Sequence, residues 1–197
     1  MQQSNRIILT DVDGVLLEWE KHFAMWMASR GYYEKASKKD VYSMKKRYGL
    51  DEEEKSELIE EFNRSAWMGT QMPLPGAQTW VKLLHAEGWT FIPITSQTKD
   101  IPGQQLRKKR LQELFGGTVF SNFFILDTGA DKHEALAEFH GTGLWWVEDK
   151  PENAELGLEF GLRPLLYNHT YNQKYKNPKV KRVSNWKQIR SIINSNV

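Results

Sequence analysis

"IILTDVDGVLLEW", residues 7–19, decides how this chain is read. Three β-formers and a threonine run straight into Asp11 and Asp13, and Gly14 follows at once. Carboxylates at the end of a buried strand are costly unless something neutralises them. Either the pair opens a turn at Gly14, or it is placed for a cation or a reacting group. The rest of the sequence has to separate the two.

Working outward, five short runs have the same character: residues 6–10, 90–96, 122–126, 143–147 and 163–167. Each is rich in β-branched or aromatic residues and bounded by turn residues or charges, as buried parallel strands are. Between them lie helix-length amphipathic segments at 75–87, 102–115, 131–139 and 151–160. Most open on proline and all end just before glycine, the usual asymmetry of a helix. Strands alternating with helices predict a doubly wound α/β domain with a mostly parallel sheet. Residues 17–73 break the alternation and read as helices over 18–29, 38–48 and 51–67. That predicts a small helical cap, 17–73, inserted after the first strand of a core formed by 1–16 and 74–197. The stretch 171–183 reads as a basic, turn-rich tail, with a last helix over 185–194. Trp145 and Trp146 should face opposite sides of the sheet.

A chain of 197 residues suits one domain, or one domain with an insertion. A formal net charge of +2 makes no case for nucleic acid or an acidic membrane. Without cysteine there is no disulfide, no thiolate catalysis and no Cys-based zinc site. The apolar run near the N-terminus is too short for a signal-peptide core, and no stretch is long enough to span a bilayer. A soluble cytoplasmic protein is expected.

In open α/β sheets, ligands sit beyond the carboxyl ends of the strands. There the sequence offers Asp11 and Asp13, Thr95 and Ser96, Lys132 at a helix start, and Glu148 with Asp149. Clustered carboxylates want a cation; with hard oxygen donors and no cysteine that is Mg²⁺. A lysine and a hydroxyl could then hold an anionic group against it. An aspartate in such a place can attack phosphorus, and a second carboxylate two residues on can move the protons. Each residue also has a plain structural role open to it. Thr95 and Ser96 could cap the next helix, Glu148–Asp149 suits a helix N-terminus, and Lys132 could be solvated.

"DVDGVL", "ITS", "DK" and "VED" resemble, in order, the four motifs of the haloacid dehalogenase (HAD) superfamily of aspartyl-phosphate phosphatases, over residues 6 to about 172. The resemblance implies Asp11 as nucleophile, Asp13 as general acid/base, and Thr95, Ser96 and Lys132 on the phosphate. It implies Mg²⁺ held by Asp11, the backbone carbonyl of Asp13, and Asp149. Glu148 stands where an aspartate is common, and is expected to act through water. More closely, "DVDGVLLEWEKHF", "ITSQTKD", "VEDKPENAE" and "LLYNHTYNQ" resemble the 5′(3′)-deoxyribonucleotidase branch, from which Gln97 and Glu148 depart. That branch implies a cap in this position and Trp19, eight positions after Asp11, against the substrate. It also implies Lys99, four positions after Thr95, on the phosphate, and a loop around 167–173 closing near the site.

The expected function is a Mg²⁺-dependent phosphomonoesterase acting on nucleoside or deoxynucleoside monophosphates, with a small phosphomonoester as partner and no membrane. Two alternatives stay open. One is a polynucleotide 3′-phosphatase or other end-processing phosphatase, because the runs 38–47 and 174–190 are basic. The other is a phosphate-binding protein without turnover. His22, His85, His133, His140 and His169 have no metal-ligand spacing and read as surface or polar-network residues.

Overall fold

The computed structural model describes residues 6–35 and 43–196. Six strands form one sheet: β1 Ile7–Thr10, β2 Thr90–Ser96, β3 Phe124–Leu126, β4 Trp145–Glu148, β5 Arg163–Tyr167 and β6 Lys181–Val183. Their order is β3-β2-β1-β4-β5-β6 and every pairing is parallel. The chain winds outward from β1 through β2 to β3, then crosses back to β4 on the other side of β1. That reversal makes the carboxyl end of β1 the switch point where such sheets bind ligands.

Alternation along each strand builds a core on both faces. Ile8, Phe91, Trp145 and Val147 join one buried cluster, while Leu9, Ile92 and Trp146 join another. Trp145 and Trp146 therefore do face opposite ways.

The helices are α1 Trp19–Ser29, α2 Met44–Tyr48, α3 Glu52–Arg64, α4 Ala77–Ala86, α5 Ile101–Phe115, α6 His133–Ala137, α7 Pro151–Glu159 and α8 Trp186–Asn194. Local chemistry sets several of their starts. Asp51 accepts the Glu54 amide, Asp100 the Gly103 amide and Asn185 the Gln188 amide, at 2.8, 2.7 and 2.9 Å. Each satisfies a donor that a helix N-terminus leaves open.

α1 begins at Trp19, one residue into the helix expected over 18–29, and a tight turn precedes it: the Val12 carbonyl accepts the amides of Leu16 and Leu17 at 2.8 and 2.9 Å. Other elements differ from the expectation. The helix expected over 51–67 stops at Arg64, and a 3-10 turn, Ala66–Gly69, follows. Of the helix expected over 38–48, Met44–Tyr48 is observed; residues 38–42 lie outside the described residues. The stretch read as a tail contains β6, which pairs with β5.

The helical segment after β1 enters and leaves at one place. Glu18 N–H donates to Met72 O at 3.0 Å, and Leu74 N–H donates to Leu16 O at 2.8 Å. Between these bonds the segment packs its own apolar cluster, including Phe23, Trp26, Met27, Leu58 and Phe62. No helix among the described residues is long and apolar enough to cross a membrane.

Candidate active site

Asp11 follows β1 and its amide still donates to Val147 O at 2.8 Å, so the ladder fixes its backbone. Oδ1 accepts the Val12 amide at 2.7 Å and the Lys132 ammonium at 2.9 Å. Lys132, the N-cap of α6, is buried and reaches Glu148 Oε2 at 2.8 Å as well. Glu148 ends β4. Its Oε1 takes the amides of Asp149 and Lys150 at 2.8 and 2.9 Å, and Oε2 also takes Asn153 Nδ2 at 3.0 Å. Every side of this carboxylate is occupied, so it acts as a buried brace.

Asp149 is less complete. Tyr171 donates its hydroxyl to Oδ2, while Oδ1 is buried without a partner among the described residues. Thr95 Oγ1, at the end of β2, is buried and unpartnered in the same sense. Buried polar atoms left open carry a cost of about 1–3 kcal/mol, and these two line the same cavity, of about 830 Å³, together with Asp11, Asp13, Trp19 and Lys132.

The electrostatics agree. Burial and the neighbouring Glu148 push Asp11 up from 3.8 to about 7, with Lys132 partly opposing them. Burial and Glu148 likewise hold Asp149 well above its ordinary value. Burial works against Glu148 too, but Lys132 and its hydrogen bonds hold it down at about 2. Among the described residues three buried carboxylates face one buried ammonium, so buried negative charge is in excess when all are ionised. Oxygens of Asp11, Glu148 and Asp149 lie within 4.8 Å of one another. Asp11 and Asp149, with Glu148 braced behind them, offer hard oxygen donors that fit a divalent cation.

Gly14 lets the loop after Asp11 come this close. Its φ is +77°, and an added Cβ would stand 2.5 Å from Asp149 Oδ2. His169 Nε2 bonds the Gly14 carbonyl at 2.7 Å, and its ring lies parallel to Tyr171 at 5.1 Å. His169 thus belongs to a polar network, and that network borders the site.

Asp13 has a partner that the sequence reading missed. Arg107, on α5 and fully buried, forks both of its carboxylate oxygens, and Nη2 also lies 3.4 Å from Met68 Sδ. A signal was present: Gly103, Arg107 and Leu111 recur every four residues on the buried face of α5, so the cation sits on an apolar stripe. "RKKR" reads at first sight as a solvated run and hides it.

The other expected residues are placed unevenly. Ser96 lines the cavity, but its hydroxyl donates to Ala130 O at 2.6 Å. Lys99 is not brought to the cavity wall; its exposed ammonium pairs with Asp127 at 3.1 Å. Trp19 does line the cavity. It stacks on Phe23 with centroids 4.8 Å apart, and its Nε1 donates to Asn63 Oδ1 at 3.0 Å. Asn63, also unforeseen, donates Nδ2 to Gln97 O at 2.8 Å, tying the helical segment to the core.

No protein-family model matches the chain. Among curated proteins, an uncharacterised 32.4 kDa protein from the Gp30-rIII intergenic region of Enterobacteria phage T4 is 26% identical over 190 residues, covering 92% of this chain and 67% of that one. Among solved structures, D,D-heptose 1,7-bisphosphate phosphatase from B. bronchiseptica, complexed with magnesium and phosphate, superimposes with a TM-score of 0.62 at 13% identity, over 98% of this chain and 99% of the other. A HAD family hydrolase from Deinococcus radiodurans R1, with bound phosphate and sodium, gives a TM-score of 0.60 at 19% identity, over 96% and 95%. At these identities the likeness is one of fold.

Proposed function

We propose that this chain is a divalent-cation-dependent phosphomonoesterase working through an aspartyl-phosphate on Asp11, with nucleoside or deoxynucleoside monophosphates as substrates. The observation that carries the reading is the incomplete buried cluster at the carboxyl ends of β1, β2 and β4. It offers a carboxylate for attack, excess negative charge for a dication, and an open hydroxyl and a lysine for the anion. The magnesium and phosphate bound in one superimposed structure, and the phosphate bound in the other, support it.

Mg²⁺, held by Asp11 and Asp149, would neutralise the phosphoryl oxygens and the buried carboxylates together. The chain does the rest. Lys132 and the Val12 amide hold Asp11 Oδ1 in place. Thr95 Oγ1 and Lys132 bind the phosphoryl oxygens. Asp11 attacks phosphorus, forming an acyl phosphate as the alcohol leaves. Asp13 protonates the leaving oxygen and then takes a proton from the water that hydrolyses the acyl phosphate. Arg107 holds Asp13 in position. Glu148 braces Lys132 and the backbone at Asp149.

Residues 17–73 serve as a cap in this reading, and Trp19 is part of the cavity wall they contribute. The face of Trp19 away from Phe23 would stack on a nucleobase. Among the described residues of the outer wall, Lys21 pairs with Glu18, Lys55 with Glu52, and Arg47 with Glu20 and Glu34. A mononucleotide suits such a wall better than a polyanionic strand.

Phosphate release from nucleoside monophosphates, sugar phosphates and 3′-phosphorylated oligonucleotides, with and without Mg²⁺, tests the reading. Mg²⁺-dependent release favouring mononucleotides is expected. Preference for oligonucleotides would move the assignment to end-processing, and no release from any ester would leave a binding protein.

A further inference from the structure

Arg182 lies on β6, at the sheet edge, in a stretch that reads as a basic tail. Its guanidinium makes four hydrogen bonds, all to the loop after β5. Nη1 donates to Asn168 Oδ1 at 3.0 Å and Asn172 Oδ1 at 2.6 Å. Nη2 donates to Asn172 O at 2.9 Å and Tyr175 O at 3.0 Å. A forked, planar donor of this kind fixes its acceptors in one plane.

Asn172 passes the restraint on. Its Nδ2 donates to Asp149 O and to Tyr167 O, each at 2.8 Å, and its Oδ1 also accepts the His169 amide at 3.1 Å. Tyr171, next in the chain, donates to Asp149 Oδ2. The loop therefore holds Asp149 by its backbone and by one carboxylate oxygen, and the other oxygen is the buried one without a partner. A loop free to shift would let the carboxylate turn and scramble which oxygen faces the cluster.

We propose that Arg182 is a positioning residue for the cation ligand Asp149, acting through Asn172 and Tyr171 so that Asp149 Oδ1 is kept open toward Asp11. This rests on the phosphatase reading above. Groups that orient a metal ligand commonly change affinity by about 10–100-fold when removed, and an effect in that range is expected here. Arg182 is only half-buried, so the loop acceptors it leaves behind can be met by water.

Mn²⁺ is a convenient probe, since it favours the same oxygen donors and its unbound fraction is counted by electron paramagnetic resonance. The full chain is titrated with Mn²⁺ as wild type, Arg182→Met, Arg182→Lys and Tyr171→Phe, with melting temperatures recorded alongside. Expected are one bound ion in the wild type, affinity weaker by about 10–100-fold in Arg182→Met, partial recovery in Arg182→Lys, and a loss in Tyr171→Phe at an unchanged fold. Should Arg182→Met not fold, Tyr171→Phe decides alone, because it removes a single hydroxyl. Wild-type binding with unchanged affinity in the folded variants, even at a lower melting temperature, would overturn the positioning role alone. No Mn²⁺ bound by the wild type would overturn the cation reading, and this inference with it.

Discussion

Lys132 and Arg47 keep similar company. Lys132 lies between Asp11 and Glu148, at 2.9 and 2.8 Å; Arg47 lies between Glu20, at 3.1 Å, and Glu34. Each is a nearly buried cation with two carboxylates. The difference lies in what remains. Around Arg47 the carboxylates keep some solvent, with side chains 38% and 18% exposed, and among the described residues no third acid pairs with it. Around Lys132 they are 8% and 0% exposed, and Asp149 adds a further buried carboxylate with an open oxygen. A buried cation between two acids is thus no mark of chemistry by itself. An open hydrogen-bonding atom is no mark either, since Arg47 Nε is also buried without a partner among the described residues; the mark is buried negative charge in excess of the cation that faces it.

Asp11→Asn should break the comparison most completely: turnover is abolished while the fold survives, since an amide cannot form the phosphoryl-enzyme. Phosphate release and a melting curve on the same sample check it. Asp13→Asn should slow turnover by about 10²–10⁴-fold through lost proton transfer. It also weakens the counter-charge of Arg107, which is fully buried, so chemical denaturation should show lower stability as well. Unchanged stability would mean that the pair is not formed in solution.

Mg²⁺ should act only on the Lys132 side. In the folded protein Asp11 holds its proton up to about 7, whereas in the unfolded chain it releases it near 3.8. Between those values the cation-free folded state binds the extra proton, so this group's contribution makes stability fall as pH rises, levelling above about 7. Asp149 works in the same direction. A dication bound to the ionised cluster reverses that loss. At a hundredfold excess over Kd, Mg²⁺ should add about 2.7 kcal/mol, most readily at alkaline pH, and chelation should remove both this gain and the activity. Calorimetric scans at two pH values, with Mg²⁺ and with chelator, read it directly.

Trp19→Ala should reduce kcat/KM for a nucleotide by roughly 5- to 150-fold, the equivalent of about 1–3 kcal/mol of base stacking. Hydrolysis of a phosphate ester without a base should change little. Equal losses on both would assign Trp19 to packing alone, a role its stacking on Phe23 and its bond to Asn63 already give it. The smallest effect on the site belongs to Arg47→Met, which should cost about 1–3 kcal/mol of stability by leaving Glu20 and Glu34 without this partner. Mg²⁺ affinity should stay at the wild-type value, whereas Lys132→Met should alter it.

What could be read in the sequence follows the same division. The strands before Asp11, Thr95 and Asp149 were legible because burial on both faces demands short apolar runs, and the carboxyl ends of parallel strands say where to look for a ligand. The three residues of β6 carry no such run, since an edge strand needs only one covered side, and Arg182 looks like one more surface cation until its loop is in place. Arg107 is 94 positions from Asp13, and nothing local announces the pairing. Lys99 is a case where spacing and placement diverge. Its spacing from Thr95 fits the resemblance, yet the chain turns it toward Asp127. Trp19 lines the cavity and opens α1, after a tight turn at Val12 that no residue pattern announced.

The central claim is that Asp11 becomes phosphorylated at a cation-dependent site. Acid-quenched single turnover with a nucleoside monophosphate carrying radiolabelled phosphate, followed by peptide mapping, tests it most directly. Label should appear on the peptide containing Asp11, and should be absent in Asp11→Asn and in excess chelator. Phosphate release with no labelled protein, or with label on another residue, would contradict it.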